Sequence, residues 1–178
     1  MSDAVVVGRF AVAGRPRTKG SLTPQMSRGG GGKLRVHLVE KGEYSVPWKK
    51  TMIAAIRHEM NLAAPMMAIG LKPPYAGPVE VRALFLVDRT VGVNGEVWPS
   101  HRTERPTAED IGDLDKFARN LLDALTQSRL IADDRLVTSL RTYKFWTPAE
   151  LAGREGVYVT VLADDTTVIP PEFVWMLK

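Results

Sequence analysis

The sequence predicts an α+β domain, a single two-layer unit in which a mixed β-sheet is flanked by two main helices. Three observations lead there. Four short runs are alternating or continuously apolar, as strands are; two segments repeat apolar residues at helical spacing; and no internal repeat or composition break divides the chain. At 178 residues the chain is long enough to close one full core. We read residues 1–164 as the domain and 165–178 as a tail.

Taken in order, Ala4–Ala13 alternates Val and Phe with polar or small positions and forms the first strand. From Gly14 to Arg35 the character changes: this stretch holds Arg15, Arg17, Lys19, Arg28, Lys33 and Arg35, with no acidic residue among them. Four consecutive glycines, Gly29–Gly32, carry a large backbone entropy cost in any regular element. Residues 14–35 therefore read as a flexible basic loop, either a plain surface loop or a mobile arm that closes on phosphates. The segment is no phosphate-binding P-loop, because it lacks a Gly-Lys-Ser/Thr ending at the required spacing.

A first helix is predicted over Pro47–Ala64: proline suits the first turn, and Trp48, Ile53, Ile56 and Met60 fall along one face. Pro65 marks its end, and Lys72-Pro73-Pro74 reads as linker. Val79–Asp88 is apolar enough for an interior strand. A loop over Arg89–Ala108 follows, with the hairpin dipeptide Asn94-Gly95 inside it. The second helix lies within Asp110–Gln127, where Phe117, Leu121, Leu122 and Leu125 describe a buried stripe. Leu136–Trp146 and Gly156–Ala163 supply two more strands. The tail ends Phe173-Val174-Trp175-Met176-Leu177, an apolar end suited to docking on the domain or on a second subunit.

Lys and Arg outnumber Asp and Glu by 24 to 20. That excess favours a polyanionic partner, because cationic contacts to phosphates release counterions. With no cysteine, disulfides, zinc–thiolate sites and thiol catalysis are excluded. His37, His58 and His101 are scattered singly, without the pairing of a helical metal site, and read as surface or structural residues. The apolar runs are too short to cross a bilayer, and the opening residues lack the layout of a secretory signal, so a cytoplasmic protein is expected.

The acidic residues around the second helix are the most informative. Asp113 and Asp115 stand at its start, and Asp133 and Asp134 just past its end. Each has a structural reading: Asp113 as an N-cap, Asp115 as a first-turn carboxylate on the helix dipole, Asp133-Asp134 as a turn. Arg119, four residues from both Asp115 and Asp123, fits a surface ladder. The chemical reading is a hydrolytic metal site, since Mg²⁺ prefers a few carboxylates and retains several waters. A helix of about 12 to 14 residues is about 20 Å long. The two acidic pairs therefore meet within one subunit only if the helix begins late or the loop reaches back; otherwise a partner subunit completes the site.

The run Asp113-Leu114-Asp115-Lys116-Phe117-Ala118-Arg119 through Asp123-Ala124-Leu125, followed by Asp133-Asp134-Arg135-Leu136-Val137, resembles the signature of RusA-type Holliday junction resolvases. There a D-x-D-N-x-x-K segment leads into a helix ending D-A-L, and D-D-x-x-V follows. Gly14-Arg15-Pro16-Arg17-Thr18-Lys19-Gly20 is similar to the family's basic opening. The resemblance implies a homodimer that nicks opposed strands of four-way junctions or other branched DNA, in recombination or repair, often of phage or prophage type. It implies Mg²⁺, with Mn²⁺ as substitute, on Asp113, Asp115 and Asp134, with Asp133 as the adjacent acidic position. Lys116 stands where the family has Asn, and Arg119 where it has a catalytically helpful Lys. Arg keeps the charge without a deprotonated form, which leaves it phosphate binding or charge stabilisation rather than proton transfer. DNA contacts are expected from Arg15, Arg17, Lys19, Arg28, Lys33, Arg35 and Lys116. A non-catalytic DNA-binding protein using the same basic segment is the alternative. A small-molecule phosphatase or nucleotidase is a third reading, and it gives the basic segment no purpose.

Overall fold

The computed structural model describes residues 5–18, 45–63 and 73–164, and the backbone of 22–28 and 34–40. The elements run β1 (Val6–Ala13), β2 (Leu22–Arg28), β3 (Leu34–Glu40), α1 (Ser45–Ala63), β4 (Val79–Val87), α2 (Leu114–Ser128), β5 (Val137–Trp146) and β6 (Gly156–Ala163). The main sheet has the order β1-β6-β4-β5; β4 and β5 are parallel and the other pairs antiparallel. The architecture is the α+β arrangement expected, a mixed sheet with two helices.

Alternation explains which face is covered. Along β4, Val79, Val81, Ala83, Phe85 and Val87 are buried in one cluster with Trp48, Met52 and Ile56 of α1 and Phe117, Leu121 and Leu125 of α2. Val157, Val159 and Val161 of β6 join the same cluster. The alternate β4 residue Arg82 lies exposed on the other face, with Glu80 and Leu84 partly so. In β1 a register shift between Val6 and Gly8 lets Val7 join Phe10 and Val12 inside, three positions apart rather than two. On α1 the buried stripe is Trp48, Met52 and Ile56, strictly four residues apart, so Met52 takes the inward place expected of Ile53, which is only partly buried.

The expected loop over 14–35 is corrected in its second half. Leu22–Arg28 and Leu34–Glu40 pair as an antiparallel hairpin, from Leu22 opposite Glu40 to Arg28 opposite Leu34. Leu34, Val36 and Leu38 alternate with Arg35 and His37, a strand period that the high basic and glycine content masked. Arg28 ends β2 and Arg35 lies on β3. Lys19, Lys33, Gly29–Gly32 and the tail 165–178 lie outside the described residues.

Parallel pairing of β4 with β5 forces a crossover, and α2 is that crossover. It therefore runs back along the sheet, starting near the strands' C-terminal ends and finishing near their N-terminal ends. Its end is fixed by a Schellman turn. Arg129 adopts the left-handed conformation at φ 68°, its N–H bonds the Thr126 carbonyl at 3.0 Å, and the Leu130 N–H bonds Leu125 at 3.1 Å. Between β4 and α2, Asn94-Gly95 forms the anticipated tight turn, with Val91 bridged to Val97 and Gly95 at φ 79°.

Candidate active site

The start of α2 is set by the residue before it. Gly112 adopts φ 84°, ψ 171°, a conformation that L side chains rarely take. A Cβ there would stand 2.4 Å from Thr18 Cγ2. The Gly112 N–H closes a turn onto Glu109 at 3.2 Å, and its carbonyl accepts from Lys144 Nζ of β5 at 2.7 Å. Asp113 follows with extended backbone at the N-cap position, yet its side chain caps nothing. Its carboxylate instead meets Lys116 Nζ at 2.7 Å, and one turn along Asp115 meets Arg119 at 3.2 Å.

Both carboxylates face solvent, at 64% exposure for Asp113 and 58% for Asp115. The Lys116 hydrogen bond, then the charge of Lys116, hold the Asp113 carboxyl below the ordinary carboxylate range despite some desolvation, with Lys144 adding to the pull. Asp113 in turn raises the Lys116 ammonium. Partial burial lowers Lys144, with the Asp113 charge opposing it. The helix N-terminus adds positive potential at the same place. Two accessible carboxylates separated by a single residue form a donor set for a hard divalent cation.

The N-terminal basic segment is fastened to this end of α2. Asn120, buried on the helix, donates to the Arg17 carbonyl at 3.0 Å, and Thr18 packs on Gly112. Arg15 reaches Asp110 at 3.7 Å and the Thr90 hydroxyl at 3.4 Å. Arg15 and Arg17 therefore join Asp113, Asp115, Lys116 and Arg119 at one end of the domain.

Asp133 and Asp134 do not. Fifteen residues of α2 span about 22 Å. The seven steps of β5 from Val137 to Lys144 cover about 23 Å. The two rulers agree, because Lys144 touches the turn before Asp113 while Asp134 lies just ahead of Val137. Asp133 has the structural role: it caps the short turn Asp134–Leu136 by accepting the Arg135 N–H at 3.0 Å. Among the described residues, no hydrogen bond or ion pair engages the exposed Asp134 carboxylate. Among them, too, no three acidic or histidine side chains cluster closely enough to share a metal ion.

Of two further residues at this end, Lys144 carried no signal in the sequence, and the lone His101 read as surface or structural. Lys144 sits in a strand pattern and acts across 32 positions. His101 is fully buried: its Nδ1 accepts the Thr90 N–H at 2.8 Å, which leaves Nε2 to donate to the Asp110 carboxylate at 2.9 Å. It ties the long loop after β4 to the turn that precedes Asp113, a structural role consistent with the reading of the histidines.

Residues 32–161, well over half of the chain, match the family model of endodeoxyribonuclease RusA. The match spans both acidic pairs, α2 and β5, and begins after most of the basic opening. No curated protein matches the chain by sequence.

Proposed function

The chain belongs to the endodeoxyribonuclease RusA family, and from that premise we propose that it is a Mg²⁺-dependent, structure-selective endonuclease acting on Holliday junctions and other branched DNA as a homodimer. The observation that carries the reading is the pair Asp113 and Asp115, open to solvent at the start of α2, with Lys116, Arg119 and Lys144 close by. No helix among the described residues is long and apolar enough to cross a membrane. A cytoplasmic role in recombination or repair, of phage or prophage type, follows from the same reading.

Asp113 and Asp115 would hold the metal, with Mn²⁺ as a substitute. When bound, the ion supplies charge neutralisation on the phosphate and a more acidic attacking water. Lys116 and Arg119 stand beside these carboxylates, where a scissile phosphate would meet them, and their charge opposes the negative charge that grows in the transition state. Arg119, a guanidinium where a lysine would offer an amine, serves electrostatics rather than proton transfer. Arg15 and Arg17 lie where they can contact the backbone on either side of the cut, fixing register without reading sequence. We assign backbone contacts also to Lys19, Arg28, Lys33 and Arg35.

The span of α2 supports a composite site. Because Asp134 lies a helix length from Asp113, the carboxylate that joins Asp113 and Asp115 is Asp134 of the partner subunit. A two-fold axis then generates two such sites, suited to a two-fold symmetric junction.

Cleavage of a labelled four-way junction, with Mg²⁺ and with EDTA, tests the reading. Paired nicks that need the metal and vanish in Asp115→Asn are expected. Junction binding without cutting, unchanged by Asp115→Asn, would identify a non-catalytic DNA-binding protein and return the aspartates to a structural role.

A further inference from the structure

We propose that Lys144 is a positioning residue of this site, holding the Gly112 carbonyl and through it the direction of Asp113; the inference rests on the nuclease reading above. Lys144 belongs to the sheet, not to α2. It lies opposite Phe85 in the β4–β5 register, and β5 is paired to β4 without a break from Ser139 to Trp146. Phe85 stacks on Phe117 of α2 at 5.2 Å between centroids, and the Lys144 ammonium lies 5.9 Å from the Phe117 ring centre. The lysine stem is thus seated between the sheet and the first turns of α2. From that seat its Nζ donates to the Gly112 oxygen at 2.7 Å.

The bond lands at the place where the chain direction is chosen. Gly112 turns the backbone with a positive φ that leaves Asp113 extended rather than helical, and Thr18 closes the opposite side. The Asp113 side chain makes no cap bond, and its partner Lys116 lies on the same helix, so neither fixes the turn that precedes them. The Lys144–Gly112 bond fixes that turn from the main sheet, across 32 positions of the chain. Groups that orient metal ligands from behind are worth about tenfold to a hundredfold in metal affinity.

Mn²⁺ binding to the intact protein, followed by the loss of its free-ion electron paramagnetic resonance signal, reads this role without turnover. Lys144→Met keeps the packing on Phe117 and removes the donor. Its Mn²⁺ dissociation constant should rise about tenfold or more, and the Mn²⁺ needed for half-maximal junction cleavage should rise with it. Junction affinity in EDTA should be unchanged. Lys144→Arg retains a donor and should restore binding toward the wild-type value. Wild-type Mn²⁺ affinity in a folded Lys144→Met protein would overturn the inference, as would a loss confined to junction affinity, which would make Lys144 a DNA contact. Should Lys144→Met fail to fold, a folded Lys144→Arg with equally broken Mn²⁺ binding would overturn it. If the wild-type protein itself neither binds Mn²⁺ nor cuts junctions, the nuclease reading fails instead.

Discussion

Gly112 aims a carboxylate with no side chain of its own. A methyl group at this position meets both an unfavourable φ of 84° and Thr18 at 2.4 Å. Gly112→Ala should therefore cost about 2 kcal/mol or more in urea unfolding, and cleavage should fall further than stability does, because the turn that presents Asp113 must move. Glu155 gives a second residue-scale expectation. Burial pushes its carboxyl above the ordinary 4.5, against the pull of the Asp88 N–H and with the Asp88 charge adding to the rise. The folded state then holds a proton that the unfolded chain releases. Its contribution is fully present below the ordinary value and is lost as pH rises through the raised one. Glu155→Gln keeps an acceptor for Asp88 and removes the charge. Its gain over wild type should be evident in urea midpoints at about pH 7 and should shrink toward about pH 4. At this scale the sequence exposed residues whose meaning is local: Asp113 and Asp115 show in their spacing. Lys144 was silent, because it acts on Gly112, 32 positions away, and the lone His101 showed only as a surface or structural residue, without its partners Thr90 and Asp110.

At the scale of elements, α2 is both a core helix and a spacer. Phe117, Leu121 and Leu125 were legible as its buried stripe, and Ala118 and Ala124 complete the face. The last strand, Gly156–Ala163, was legible to the residue because valines alternate along it. The β2–β3 hairpin was not. Its apolar alternation is short, and glycines and arginines dominate the composition around it. The Schellman turn after α2 was also hidden, since Arg129 occupies the left-handed position that glycine usually holds. Arg129→Gly should accordingly stabilise the protein by about 0.5 to 1 kcal/mol in thermal or urea unfolding, the relief of φ strain outweighing the added freedom of the unfolded chain. Cleavage should change little, because glycine keeps the same turn and so leaves Asp134, five residues further on, in its place.

For the whole molecule, the decisive fact is a length. The sequence already posed the choice between a site closed within one subunit and one completed by a second, through the distance that a helix imposes. Two independent rulers, α2 and β5, now place Asp134 more than 20 Å, roughly, from the turn bearing Asp113. Periodicity could not decide this, because it specifies a helix but not which strand end the returning chain reaches. Mixing subunits decides whether the site is shared. Asp115→Asn and Asp134→Asn homodimers should each be inactive on a four-way junction in Mg²⁺. After the two proteins are unfolded together and refolded, each heterodimer has one site with both lesions and one with none. Metal-dependent nicking should return in the mixture, on one strand per binding event. A mixture that forms heterodimers and stays inactive would contradict a shared site, showing that each subunit closes its own site.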